Sequence, residues 1–279
     1  MQLQMIAFDL DGTILNSRKE LTARTLAALA AAHAAGIIFV VATGRQFASL
    51  PATFPVEDFD FAVTSNGAIG FDYSNERVLF VEQVSPASQK QVVDYLLEKA
   101  PGTLFGATRD LGDTFVTQPE YLKVMTEREL LHDRRKFVLM DLAEICAEPT
   151  VKFVARHEQI SPEVLREYLE ESGIAEIHAT TSGAAFVEIG AATVTKAKGV
   201  AWIADSLEIP KEQVAAIGDA NNDVEMLTWA GLGIAVANAA PEVFEVAQMV
   251  IPGNDEDGVA QFLEALLVGA RSPSGRSRQ

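Results

Sequence analysis

The sequence predicts an α/β chain in which a doubly wound parallel sheet is interrupted by an α+β insertion, and three observations carry that prediction. Short apolar runs with the character of buried strands recur at 3–8, 37–42, 61–64, 214–217, 232–236 and 248–251. Helical stretches lie between several of them, at 22–35, about 196–207, 221–230 and 241–247, and such alternation is what a parallel sheet covered on both faces produces. Between about 83 and 185 the texture changes to short strand-like pieces mixed with proline-opened helices, the mark of a separate α+β unit.

Taken in order, Leu3 to Phe8 is apolar and runs straight into Asp9-Leu-Asp11-Gly12, a strand ending in a polar loop. Residues 23–35 are mostly alanine, Gly36 ends that helix, and the β-branched run Ile37-Ile38-Phe39-Val40-Val41 follows as a strand. The 20 uncharged residues between Arg24 and Arg45 are long enough to span a bilayer. Alanine is a weak hydrophobe, however, so helix, turn and strand are expected here and no membrane span. Ser85-Pro86 and Ser161-Pro162 each pair an N-cap with a proline at the first helical position, opening helices at 85–99 and 161–172. Strand-like pieces lie at 104–108, 113–117, 151–156, 176–181 and 184–189. The expected division is a core in two parts, 1–82 and 186–270, with the insertion at 83–185 and a disordered tail at 271–279.

Composition narrows the function. The 279 residues include 22 Lys and Arg against 39 Asp and Glu, a formal charge of −17. A field of that sign repels nucleic-acid backbones and anionic lipid, so neither is an expected partner. Cys146 is the sole cysteine, which excludes an intramolecular disulfide and points to a reducing compartment. The start, Met1 to Asp9, lacks the basic end and cleavage site of a signal peptide, and a cytoplasmic location is expected.

In open α/β sheets ligands bind beyond the carboxyl ends of the strands, and here those ends carry chemistry. The first strand ends in Asp9 and Asp11, the second in Thr43-Gly44-Arg45, and the third in Ser65-Asn66-Gly67. The strand at 214–217 ends in Gly218-Asp219 and runs on through Asn222-Asp223, and Lys196 stands at a helix start. Four carboxylates in one crevice repel by about 1 kcal/mol per pair at 4 Å in water and about 4 at an effective dielectric of 20, so they require a cation. All-oxygen ligation favours Mg²⁺ or a similar hard ion. A calcium-loop reading of Asp219-x-Asn221-x-Asp223 fails, because Val224 stands at the sixth position and Ala230 at the twelfth.

Asp9-Leu-Asp-Gly-Thr13, Thr43, Lys196 and Gly218-Asp-Ala-Asn-Asn-Asp223 resemble, in order, the four motifs of the haloacid dehalogenase (HAD) superfamily. Ala-Thr-Gly-Arg45, Ser-Asn-Gly67 and an insertion between the second and third motifs resemble its Cof-type phosphatases with a C2B cap, over about residues 3–268. The resemblance implies a Rossmann-like, HAD-like core with the insertion as an α+β C2B cap. It implies that Asp9 is the nucleophile, forming an aspartyl phosphate, and that Asp11 is general acid and then base. Thr43, the Gly44 amide and Lys196 would bind the transferring group, and Asn222 would orient the phosphate or a neighbouring carboxylate. Mg²⁺ would sit on Asp9, the Asp11 main-chain carbonyl and Asp219, with Asp223 in or beside its shell. Lys196 takes the third-motif role over Lys198 because it directly follows Val194-Thr195. Arg45 and Asn66 are expected to touch substrate.

In the insertion, Arg128, His132, Arg134, Arg135 and Lys136 form a basic cluster, either a solvated surface or a contact to a second anionic group on the substrate. His33, His157 and His178 have no ligand spacing. The expected activity is Mg²⁺-dependent hydrolysis of a small phosphorylated metabolite: a sugar phosphate, pyridoxal phosphate or a flavin-precursor phosphate. Phosphomutase-type transfer on a sugar phosphate and non-catalytic binding of a phosphometabolite are the alternatives.

Overall fold

The computed structural model describes residues 3–47, 50, 59–127, 130 and 136–270. The expected tail at 271–279 lies outside them. The first strand, β1 (Met5–Phe8), is followed by α1 (Ala23–Ala34), β2 (Ile38–Ala42) and β3 (Phe61–Thr64). Thr22 caps α1 by accepting from the Thr25 amide at 3.1 Å. A hairpin, β4 (Ile69–Asp72) and β5 (Arg77–Val81), comes next. After the insertion the chain returns through α6 (Lys196–Ser206), β12 (Val214–Gly218), α7 (Val224–Trp229), β13 (Leu232–Val236), α8 (Pro241–Val246), β14 (Met249–Ile251) and α9 (Gly258–Ala270).

Among the described residues these strands form one sheet in the order β14-β13-β12-β1-β2-β3-β4-β5. Pairing is parallel from β14 to β3. It is antiparallel at β4 and β5, a hairpin added at the edge of the expected parallel sheet, since a tight turn can join only antiparallel neighbours. Every residue of β1 is buried, and its side chains alternate between two cores. Ile6 and Phe8 pack with Leu29 of α1 and Leu263 of α9. Met5 and Ala7 pack with Val200 and Ile203 of α6 and Leu227 of α7. Coverage on both faces explains why the strand reads as an unbroken apolar run.

The insertion comprises α2 (Pro86–Lys99), β6 (Leu104–Arg109), β7 (Thr114–Thr117), α3 (Pro119–Val124), β8 (Lys136–Leu139), α4 (Leu142–Ile145), β9 (Lys152–Arg156), α5 (Pro162–Glu171), β10 (Ile177–Thr180) and β11 (Val187–Ala191). Ser85 and Ser161 cap α2 and α5 as their Ser-Pro pairs predict. The second sheet runs β10-β11-β9-β6-β7-β8 and is antiparallel except between β7 and β8. Val187–Ala191 belongs to this sheet, pairing with β9 and β10. We therefore propose a division near Ala191, beyond the expected residue 185. Ala68, Ile69, Val151 and Val194 pack together where the two units meet. Among the described residues no helix is long and apolar enough to cross a membrane, and the uncharged stretch after Arg24 is α1 followed by β2.

Candidate active site

Parallel pairing in register brings the carboxyl ends of β1, β2, β3 and β12 side by side, and with them the loops that carry Asp9, Thr43, Asn66 and Asp219. The Asp9 amide still donates to the Ile217 carbonyl at 3.0 Å, so the first residue past β1 is held as firmly as the strand itself. Its carboxylate is buried and accepts from the Lys196 ammonium at 2.5 Å. Lys196 opens α6, where Thr195 caps the helix by accepting from the Lys198 amide at 3.1 Å. The same ammonium donates to Asp223 Oδ1 at 2.7 Å, and neither partner's side chain has any exposed surface. Burial pushes the Lys196 ammonium toward losing its proton, but the two carboxylates outweigh it and hold the pKa above its ordinary value. Burial, reinforced by Asp223 and Asp219, raises the Asp9 carboxyl against the pull of Lys196.

Asp223 is fully engaged. Its other oxygen accepts from the Asp219 and Ala220 amides, each at 3.0 Å, and so fixes the turn after β12. Asp219 is less committed: Oδ1 accepts from the Thr13 hydroxyl at 2.7 Å, and burial pushes its carboxyl up to about 6. Asp9, Asp219 and Asp223 each offer a carboxylate oxygen within 4.8 Å of one another. This all-oxygen set fits a hard divalent cation. Of the three, Asp9 and Asp219 could hold such an ion, while Asp223 braces the loop behind them.

Gly12 is what permits this approach. Its φ is +92°, and a Cβ there would lie 2.4 Å from Asp219 Oδ2. Gly12→Ala is expected to destabilise the protein by about 1–2 kcal/mol from the backbone alone, with further loss as Asp219 is displaced. Urea unfolding, and the melting-temperature gain on adding Mg²⁺, measure the two parts separately.

Asp11 does not point at this cluster. Arg45 donates to it in bidentate fashion, Nε to Oδ2 at 2.6 Å and Nη2 to Oδ1 at 2.8 Å, and Lys19 adds a contact at 2.8 Å. Burial raises the Asp11 carboxyl, but these two cations outweigh it and hold it down to about 2. Arg45, expected on the substrate, is thus seated on Asp11. Thr43 is buried at the end of β2, and its hydroxyl accepts from the Arg45 amide at 3.1 Å. Asn66 sits at φ +60° and accepts from Asn222 Nδ2 at 2.9 Å, so these two predicted residues meet. Lys198 is exposed and caps the Ala192 carbonyl.

The second sheet faces this crevice and encloses a cavity of about 430 Å³. Asp9, Asp11, Thr43, Gly44, Arg45 and Asn222 line its core side; Phe115, Tyr121, Val154 and Phe186 line the other. Lys152 and Glu188, from β9 and β11, form a buried ion pair there. Lys152 also donates to the Gly44 carbonyl at 2.6 Å, and Glu188 accepts from the Ser182 hydroxyl at 2.7 Å. Although burial raises the Glu188 carboxyl, Lys152 more than offsets it and the pKa lies below the ordinary value. Sequence reasoning missed this pair, along with Arg156 and Lys19. The available signal was Lys152-Phe-Val-Ala-Arg156, with two charges four residues apart and so on the same face of an otherwise apolar strand.

Of the basic cluster, Arg128, His132, Arg134 and Arg135 lie outside the described residues, and Lys136 is exposed at the start of β8. His33 contacts Asp60 at 3.2 Å, and His157 accepts from the Gln159 and Ile160 amides at 3.0 Å each. Burial lowers the pKa of His178.

A family model described as haloacid dehalogenase-like hydrolase matches residues 6–263. The chain is 29% identical to YxeH of Bacillus subtilis, over 95% of this chain and 98% of that protein. It is 27% identical to YitU of the same organism, a 5-amino-6-(5-phospho-D-ribitylamino)uracil phosphatase, over 93% and 96%. Among solved structures it superimposes on BT1666 of Bacteroides thetaiotaomicron, one of the HAD phosphatases, with a TM-score of 0.80 at 22% identity, covering 96% of each chain.

Proposed function

The chain belongs to the haloacid dehalogenase-like hydrolases, and from that premise we propose that it is a Mg²⁺-dependent phosphatase of a small phosphorylated metabolite, acting through an aspartyl phosphate on Asp9. The observation that carries this reading is the buried Asp9–Lys196–Asp223 array at the floor of a cavity roofed by a second sheet. Asp9 Oδ would attack phosphorus as the bond to the leaving alcohol oxygen breaks. Lys196 and the Thr43-Gly44 segment would take the charge on the equatorial oxygens. Bound on Asp9, Asp219 and the Asp11 main-chain carbonyl, Mg²⁺ would neutralise the carboxylates and the incoming phosphate.

Asp11 would give its proton to the departing alkoxide and then take one from the water that cleaves the aspartyl phosphate. In the free protein Arg45 and Lys19 hold it ionised. A phosphate dianion entering beside Arg45 competes for the guanidinium, loosens its grip on Asp11 and lets that carboxyl accept a proton. Asn222 would position the phosphate, with Asn66 fixing its amide. The YitU activity makes a flavin-precursor phosphate a substrate to test beside sugar phosphates and pyridoxal phosphate. The single cysteine supports a reducing compartment, and we place the enzyme in the cytoplasm.

Phosphate release from a panel of monoesters in the presence of Mg²⁺, abolished by EDTA, is the expected result. No release from any member overturns the reading, and isomerised sugar phosphate without free phosphate selects a mutase.

The cation's effect on stability should depend on pH. Asp219 titrates at about 6 in the folded protein against an ordinary 3.8. A raised carboxyl contributes stability below about pH 4 that is lost as pH rises through 6, and the cation requires the ionised form. Mg²⁺ should therefore raise the melting temperature more at pH 7.5 than at pH 5, because the cation must displace a proton from Asp9 below about pH 8 and from Asp219 below about pH 6. Equal shifts at both pH values would remove Asp219 from the ligand set.

A further inference from the structure

We propose that Lys152 and Glu188, both contributed by the inserted unit, are positioning residues for the transferring phosphoryl group, because they fix the direction of the Thr43 hydroxyl and the Asn222 amide. This rests on the phosphatase reading above and deepens it. Docking of the two units does not need the pair. Ala68, Ile69, Val151 and Val194 already join them by apolar contact, and a buried ion pair is often matched in stability by apolar side chains of similar volume. What the pair touches on the core is Gly44 and Asn66, on the phosphate side of the crevice.

Lys152 acts on one peptide. Its ammonium donates to the Gly44 carbonyl at 2.6 Å, and the N–H at the other end of that peptide, on Arg45, donates to the Thr43 hydroxyl oxygen at 3.1 Å. A trans peptide is planar with its C=O and N–H opposed, so pinning the carbonyl aims the N–H. A hydroxyl that accepts from an amide keeps its own hydrogen to donate. Thr43 lines the cavity, and its hydroxyl is thereby left to donate to a phosphoryl oxygen there.

Glu188 acts on two amides in series. Its carboxylate accepts from the Lys152 ammonium on Oε1 and from the Ser182 hydroxyl on Oε2, and the Asn66 side chain hydrogen-bonds it as well. An ionised carboxylate only accepts, so Asn66 presents its NH₂ to Glu188 and its Oδ1 to the core. There Oδ1 accepts from Asn222 Nδ2 at 2.9 Å. The Asn222 amide is thus turned so that its NH₂ meets Asn66, and its second N–H is left for a phosphoryl oxygen in the cavity that Asn222 also lines. Asn66 is only 6% exposed, so little water reaches it to take the place of Glu188.

Removing either charge alone strands the other, so the test removes both. Lys152→Met with Glu188→Gln should melt within about 5 °C of the wild type, and Lys152→Leu with Glu188→Leu takes its place if it melts earlier. With 4-nitrophenyl phosphate and Mg²⁺, kcat should fall at least tenfold while KM changes less than threefold, because misdirected donors matter most where charge spreads over the equatorial oxygens. Calorimetry in Mg²⁺ should show the same split: orthovanadate, which takes up five-coordinate geometry, binds at least tenfold more weakly, and inorganic phosphate changes less than threefold. The fold-loss in kcat caused by Asn222→Ala should also shrink at least threefold when the pair is absent. Values of kcat and vanadate affinity within threefold of the wild type overturn the proposal and leave the phosphatase reading intact. Tenfold weaker vanadate binding, in a protein whose wild type releases phosphate from no ester, does the reverse. A KM that rises as much as kcat falls, or an undiminished effect of Asn222→Ala, makes the pair structural and overturns the proposal.

Discussion

Replacing Asp9 with asparagine is expected to lower kcat by at least about 10⁴-fold while leaving the fold intact. An amide oxygen does not form the acyl phosphate, and removing a nucleophile that acts in concert with its neighbours typically costs this much or more. Stability should hold because Lys196 keeps Asp223 as its counter-charge at 2.7 Å. The buried pocket would then contain one cation and one anion, in place of one cation and two carboxyls. Steady-state phosphate release and urea unfolding on the same preparation check both halves, with mass spectrometry to exclude deamidation back to aspartate. Activity above one per cent would place the nucleophile elsewhere.

Lys196→Met should have the largest effect on stability. It removes the ammonium from between two buried carboxylates, and breaking a buried pair in this way typically costs about 3–5 kcal/mol. The loss should depend on pH, with the sign fixed by linkage. Without Lys196 the Asp9 carboxyl, already raised by burial, loses the cation that pulls it down, so the variant keeps stability at low pH, where that carboxyl is protonated, and loses it as pH rises. Urea unfolding at pH 5 and pH 8 should show the larger deficit at pH 8. Adding Asp223→Asn should recover part of the deficit, since the cost lies in uncompensated charge. A deficit independent of pH and unrelieved by the second substitution would assign Lys196 a packing role only.

The core strands and the loops bearing the motifs were legible because two simple signals coincide there: apolar runs too short for helices, and acids directly after them. The hairpin β4–β5 was not, since Ile69-Gly-Phe-Asp72 is short and glycine-containing and β5 is mostly exposed. Nor was α9, which begins at Gly258 directly after Asp257 in a left-handed conformation and shows no N-cap signal to read. In the site, residue types gave the chemistry but not the pairing. Arg45 is seated on Asp11, and Asp223 braces a turn, because side-chain partners are set by neighbours distant in sequence. Lys152 and Glu188 lie on recognisable strands. Which face of those strands looks toward Gly44 depends on how two sheets are juxtaposed, and periodicity within one strand does not encode that.

The position of β1 also sets a timetable for biosynthesis. Of its two neighbours, β2 follows soon after, whereas Val214 of β12 follows Met5 by 209 positions. At about 5–20 residues per second, β1 waits roughly 10–40 s on the ribosome with one edge unpaired. The intervening unit faces no such delay. The core that joins Val92 to Ile189 is contiguous in sequence and can close while β12 is still being made. During that interval the nascent chain carries a finished domain tethered to an open, fully apolar strand, the kind of edge that recruits chaperones or other chains. Asp9, at the end of β1, is thus made long before β12 and takes its place beside Asp219 only after that strand has paired.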